Sequence, residues 1–285
     1  MLSRRGLTLA ELLVALVLAA IVLGSATTSV LRQQLAHARI IAVSASDAQL
    51  RAFTLVSSGQ LAHLDAAAGD LVAGEAADTA LQFRAAVAIA LSCAADIGAA
   101  TFVPDVEGAV ALGGSASLPR AGDSLWWLGD SSWKSGKIAD VAAVTATCTD
   151  PVAATGASLR VVLVSADTIP SGAPLRVTRQ TRFGVYRAGD GTWQLGFREW
   201  SETTQRFAAP QPIAGPLLPA SGARRSGFRY FDDGGAELSP AYVLDVTRVA
   251  RIRITAHSLV AVRERNQDSV RTDSIDVALR HAQGP

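Results

Sequence analysis

Between Leu7 and Gly24 the chain reads LTLAELLVALVLAAIVLG, in which only Thr8 and Glu11 are clearly polar. A bilayer span needs roughly 20 apolar residues at about 1.5 Å of rise each. This run suffices when Ser25 to Val30 serve as interface. Arg4 and Arg5 precede it, and the positive-inside rule places them in the cytoplasm with the rest of the chain on the far side. An ionisable group at membrane depth costs a few kcal/mol on insertion scales and normally has a job or a partner. Glu11 therefore has to be explained.

Two ordinary readings leave it unexplained. A secretory signal peptide would use MLSRR as its charged region, Leu12 to Leu23 as its apolar core and Gly24-Ser25-Ala26 as its small-residue cleavage site. A permanent uncleaved anchor would use the same apolar run. Neither needs Glu11.

A third reading does. RRG followed by LTLAELLVAL resembles the class III signal of type IV pilins and type II secretion pseudopilins. In that family a short basic leader ends in Gly, a prepilin peptidase cuts after it and methylates the new N-terminus, and Glu is the fifth mature residue. The resemblance implies that Gly6 closes the leader, that Leu7 becomes the methylated N-terminus, and that Glu11 is fifth. Phe is commonest in the family where Leu7 stands, and other hydrophobic residues are tolerated there. The implied role of Glu11 is to pair with a neighbouring subunit's terminal amine in a filament. An amine and a carboxylate that are both buried offset each other's desolvation only by pairing, so the pair would set register. Losing Arg4 and Arg5 takes 26 basic residues to 24 against 25 acidic ones, a net charge of −1.

Past the membrane segment the chain continues to favour helix. No Pro occurs before Pro104, and no Gly between Gly24 and Gly59. Ala42, Leu50, Phe53, Leu61 and Leu64 recur at spacings of three, eight and eleven, which predicts one apolar face on a helix from about Leu7 to Ser58. GSATTS at 24–29 is its weak point, where low helix propensity allows a bend but, without Pro, no sharp kink is expected. From about Gly69 the texture turns to short strands. ALQFRAAVAIALSC fits strand or helix, with strand favoured, and DSLWWLG, KIADVAAVTATC, SLRVVLVS, RIRIT and DSIDVALRH read as strands, with a Gly/Ser loop over 108–123. Asp190-Gly191 inside RFGVYRAGDGTWQLGFREW and Asp232 to Gly235 inside FRYFDDGGAEL read as hairpin tips. The sum is an α+β protein: a long N-terminal helix, transmembrane in its first half and amphipathic in its second, packed on a β-rich head. The expected division is a leader at 1–6, a membrane and assembly helix at 7–30, its amphipathic continuation at 31–64, and a head at 65–285. The length, the first hairpin and the FRYFDDGGAEL stretch also resemble J-type minor pseudopilins and W-type minor pilins.

Signs of catalysis are sparse. His37, His63, His257 and His281 lack zinc-ligand spacing, and no CxxC, G-x-S-x-G, P-loop or dinucleotide fingerprint occurs. The expectation is a protein without enzymatic activity, metal or cofactor. Cys93 and Cys148 form one disulfide in an oxidising compartment or stand as two buried thiols. Some pseudopilins bind calcium, but Asp232, Asp233 and Glu237 do not match EF-hand spacing and suit a turn better. Trp126, Trp127 and Trp133 are either head core or a partner-binding patch. Arg224, Arg225, Arg229, Arg251 and Arg253 could form a basic patch, and some competence pilins bind DNA, yet a formal net charge of +1 argues for a solvated strand face and no nucleic acid.

The resemblance implies a minor pilin or pseudopilin held in the bacterial inner membrane by one span, with its head in the periplasm. It would assemble with other major and minor pilins at the tip of a type II secretion pseudopilus or type IV pilus. The alternative class is a membrane-tethered or secreted extracytoplasmic binding domain, for which Gly6 and Glu11 are not needed.

Overall fold

The computed structural model describes residues 9–73, 76–105, 117–145, 158–219, 226–238, 245–264 and 267–280. The chain forms two compact units, Met1–Ala48 with Val260–Ser269 and Gln49–Leu259 with Val270–Pro285. One helix, α1, runs over Leu9–Leu61, and fifteen strands follow it among the described residues. The expected α+β class is therefore the observed one.

In the first unit, every residue of α1 from Leu9 to Ile41 is exposed. An apolar helix with no covered face is stable only where something other than water surrounds it. The expected weak point at 24–29 is continuous helix. Its hydroxyls bond back into the helix: Ser25 Oγ donates to the Val22 carbonyl at 2.8 Å, Thr27 Oγ1 to Leu23 at 2.7 Å, and Thr28 Oγ1 to Ser25 at 2.8 Å. Local back-bonding hides these polar groups without breaking the backbone ladder.

In the second unit, the last turns of α1 turn one face into the head. Leu50, Phe53 and Leu61 are buried, as is Leu64 just beyond the helix, and they join Leu81, Phe83, Phe183, Phe228 and Ile252 in one core. The spacing seen in the sequence thus marks the packed face at Leu50, Phe53, Leu61 and Leu64. Each such fully buried side chain contributes about 1.5–3 kcal/mol.

The head is built on a long antiparallel sheet. Its main path uses β13 (Glu237–Leu238), β12 (Gly227–Phe231), β14 (Arg251–Glu264), β11 (Gln211–Leu217), β9 (Trp193–Ser201), β8 (Pro174–Arg187), β4 (Ser124–Leu128), β5 (Trp133–Val144), β6 (Ser158–Leu163) and β3 (Ala99–Phe102), in that order. Off this path, β1 (Ala80–Leu91) pairs with β8, β10 (Arg206–Phe207) with β9, and β15 (Gln267–Ala278) with β14. A separate two-stranded sheet joins β2 (Asp96–Ile97) to β7 (Thr168–Ile169).

Strand β8 ties the head together. One edge pairs with β1 along its length, while the other meets β4 at Leu175–Thr178 and β9 at Thr181–Arg187. The two halves serve two apolar clusters: Leu81, Phe83 and Phe183 belong to one, and Val87, Leu125, Trp127, Leu175 and Val177 to the other. Register shifts between Ala86 and Ala88, so Val87 is an extra residue at the changeover. A bulge is the usual device for re-aiming side chains along one strand. Both expected hairpin tips are present. Gly191 has φ +85° and Gly235 φ +82°, the left-handed region that glycine enters without steric cost.

Candidate functional site

Of the N-terminal residues that the sequence singles out, Glu11 lies in the described part of the chain. Glu11 stands in the first described turn, on an exposed surface. Around it Leu12, Leu13, Val14 and Leu16 each expose more than half of their area. Arg4, Arg5, Gly6 and Leu7 lie outside the described residues. The helix is long and apolar enough to cross a membrane, with a mean hydropathy of 2.5 in its most apolar window and none of that window buried.

In the head, Cys93 is held in a disulfide, while Cys148, the chain's second cysteine, lies outside the described residues. At the acidic turn, Asp232 and Glu237 have partners. Asp232 Oδ1 accepts from the Ala236 N–H at 2.8 Å, its Oδ2 lies 3.5 Å from Arg248, and Glu237 lies 3.8 Å from Arg229. Among the described residues, no three His, Cys, Asp or Glu are grouped to hold a metal ion. The strand arginines are also engaged: Arg253 makes a two-pronged pair with Asp276 at 2.6 and 2.7 Å, and Arg251 lies over the Phe231 ring at 4.6 Å. Arg224 and Arg225 lie outside the described residues.

The tryptophan cluster divides. Trp127 is fully buried in the second core, whereas Trp133 is 52% exposed. Trp126 is intermediate; its Nε1–H donates to Thr178 Oγ1 at 3.0 Å and the Arg84 guanidinium lies 5.1 Å above its ring. Beside Trp126 and Trp133 opens a cavity of about 370 Å³ whose polar lining includes His63, Asp70, Arg176 and Arg280. No motif announced this grouping. Trp126 and Arg176 meet as register partners across β4 and β8, and Arg280 arrives through its N–H, which donates to the Leu64 carbonyl at 2.9 Å.

Burial, aided by the nearby Arg280 charge, holds His63 below its ordinary value of 6.5. The folded state thus resists binding a proton that the unfolded chain accepts. That contribution to stability is complete above about pH 6.5 and shrinks as pH falls toward the lowered folded value. Wild-type thermal midpoint should drop between about pH 7 and pH 5, and His63→Gln should flatten that drop. Parallel slopes for both proteins would remove His63 from the account.

The deciding feature lies at the other end of the chain. Residues 1–27 match the prokaryotic N-terminal methylation motif. No curated protein and no solved structure matches the chain. The matched stretch covers Arg4, Arg5, Gly6, Leu7, Glu11 and the apolar run up to Thr27. With an apolar helix exposed on all sides, it supports a pilin- or pseudopilin-type subunit and fits a single-pass membrane anchor. The motif implies processing by a prepilin peptidase and assembly with other pilins.

Proposed function

We propose that this chain is a minor pilin or pseudopilin, placed in a tip or priming complex of a type II secretion pseudopilus or type IV pilus. Prepilin peptidase cuts between Gly6 and Leu7, and Leu7 becomes the methylated N-terminus. Glu11 then meets a neighbour's terminal amine within the bundle of assembled helices. The protein works by assembly rather than by catalysis, and no cofactor is required.

The observation that carries this reading is the methylation motif at residues 1–27 joined to a helix whose apolar surface is uncovered from Leu9 to Ile41. The uncovered length exceeds a bilayer's need of roughly 20 residues, which suits a helix that packs against other helices as well as lipid. The disulfide at Cys93 suits a head on the oxidising side of the inner membrane, with Cys148 as its partner. The length, the Asp190-Gly191 hairpin and the FRYFDDGGAEL turn favour the J-type or W-type minor subunits.

Cross-linking in intact cells followed by mass spectrometry tests the proposal. The expected partners, linked through residues of α1, are other chains bearing the same N-terminal motif. A protein whose α1 links to none of them is a tethered binding domain instead.

A further inference from the structure

The cavity beside Trp126 and Trp133 has the size and chemistry of a ligand site. Small-molecule pockets run from roughly 300 to 1,000 Å³, with mainly apolar walls and a few convergent polar groups. This one holds about 370 Å³. Trp126 is pinned from two sides, by its hydrogen bond to Thr178 and by the Arg84 guanidinium stacked on its ring. An aromatic wall already fixed in place loses little freedom when a ligand docks. Trp133 lines the same space and is half exposed, an unusual state for so large an apolar side chain.

Charge around the cavity is unequal. Three guanidiniums stand at or beside it, those of Arg84, Arg176 and Arg280, against the carboxylates of Asp65 and Asp70. Both carboxylates already serve the backbone: Asp65 Oδ1 accepts from the Ala68 N–H and Asp70 Oδ2 from the Asp65 N–H, each at 3.0 Å. Asp70 Oδ2 also takes Arg176 at 3.0 Å. Arg84 donates to the Gly69 carbonyl while it covers the indole. Arg280 is left with no carboxylate within ion-pair distance among the described residues, and its charge is felt by His63, whose Nδ1 is buried without a partner. A planar guanidinium whose donors meet no acceptor among the described residues, in a cavity that two indoles also line, fits a carboxylate attached to a flat or ring-shaped body.

We propose that this cavity binds a small organic carboxylate, its ring against Trp126 and Trp133 and its charge on Arg280. The site belongs to the head alone and does not depend on the assembly role of the helix.

The test uses the full chain in detergent micelles and ligand-observed NMR. Phenylacetate and D-galacturonate are each titrated beside a neutral counterpart, phenylacetamide and D-galactose, up to about 10 mM. At least one anion should bind saturably, and its neutral counterpart at least about tenfold more weakly. Arg280→Gln and Trp133→Ala should each weaken the anion by about tenfold or more. Both positions are exposed, so unchanged circular dichroism is expected for the variants. Three results would overturn the proposal: no saturable binding of either anion, equal binding of anion and neutral counterpart, or full affinity in both variants.

Discussion

Arg179→Ala is expected to destabilise the head by about 3–5 kcal/mol, the usual cost of removing one partner from a buried ion pair. The Arg179 side chain is only 3% exposed, as is that of Asp123. Its Nε and Nη2 donate to the two Asp123 oxygens at 2.8 and 2.9 Å. Nη1 donates to Ser117 Oγ at 2.8 Å and to Glu199 Oε2 at 3.1 Å, and the second Nη2 hydrogen to the Leu118 carbonyl at 3.1 Å. These five bonds use all five donors a guanidinium has. Burial pushes Arg179 down, but hydrogen bonds and charges from Asp123 and Glu199 outweigh it and hold the group above its ordinary value. It stays charged at every working pH, so the cost of the mutation is independent of pH near neutrality. In the variant, Asp123 keeps its hydrogen bond from the Arg120 N–H at 2.9 Å but loses its counter-ion. Adding Asp123→Leu should recover much of the loss, because an apolar replacement of a whole buried pair is often neutral. Denaturant unfolding of the full chain in detergent measures both. A loss below about 1 kcal/mol for Arg179→Ala would place the pair in solvent-like surroundings.

Glu11→Ala should leave leader removal unchanged and reduce cross-links to other motif-bearing chains at least about tenfold, a figure set by the strength of a charge-assisted pair in an apolar bundle. The alternative explanation, a weakened anchor, runs the wrong way: removing a carboxylate makes membrane insertion easier. Loss of assembly with intact anchoring would therefore isolate the register role. Unchanged cross-linking in the variant would end that role and leave Glu11 without a function.

Some of the fold could be read from the chain because one local rule decided it. The face of Leu50, Phe53, Leu61 and Leu64 followed helical spacing, and the tips at Asp190-Gly191 and Asp232–Gly235 followed turn chemistry. Other elements went against their local signals. β11 carries Pro212 and Pro216, which argue against a sheet interior, yet it lies between β9 and β14. It is accommodated by register shifts between Pro212 and Ala214 and between Ala214 and Leu217. The first half of β8 holds Arg176 and Arg179, so it reads as polar; tertiary partners 106 and 56 positions away explain both charges. The same holds for the cavity, since Trp126, Arg176 and Arg280 are joined only by strand register and chain return. At the N-terminus the reverse is true: the signal at Gly6, Leu7 and Glu11 is a matter of spacing, and sequence is where it is written.

Maturation at Gly6 is tested by the N-terminal mass of the protein taken from membranes, with and without active prepilin peptidase. The expected result is a chain that begins at N-methylated Leu7 when the peptidase is active and at Met1 when it is not. A chain that begins at Thr27, or one that keeps Met1 in both cases, would contradict the account and make the tethered or secreted binding domain the better description.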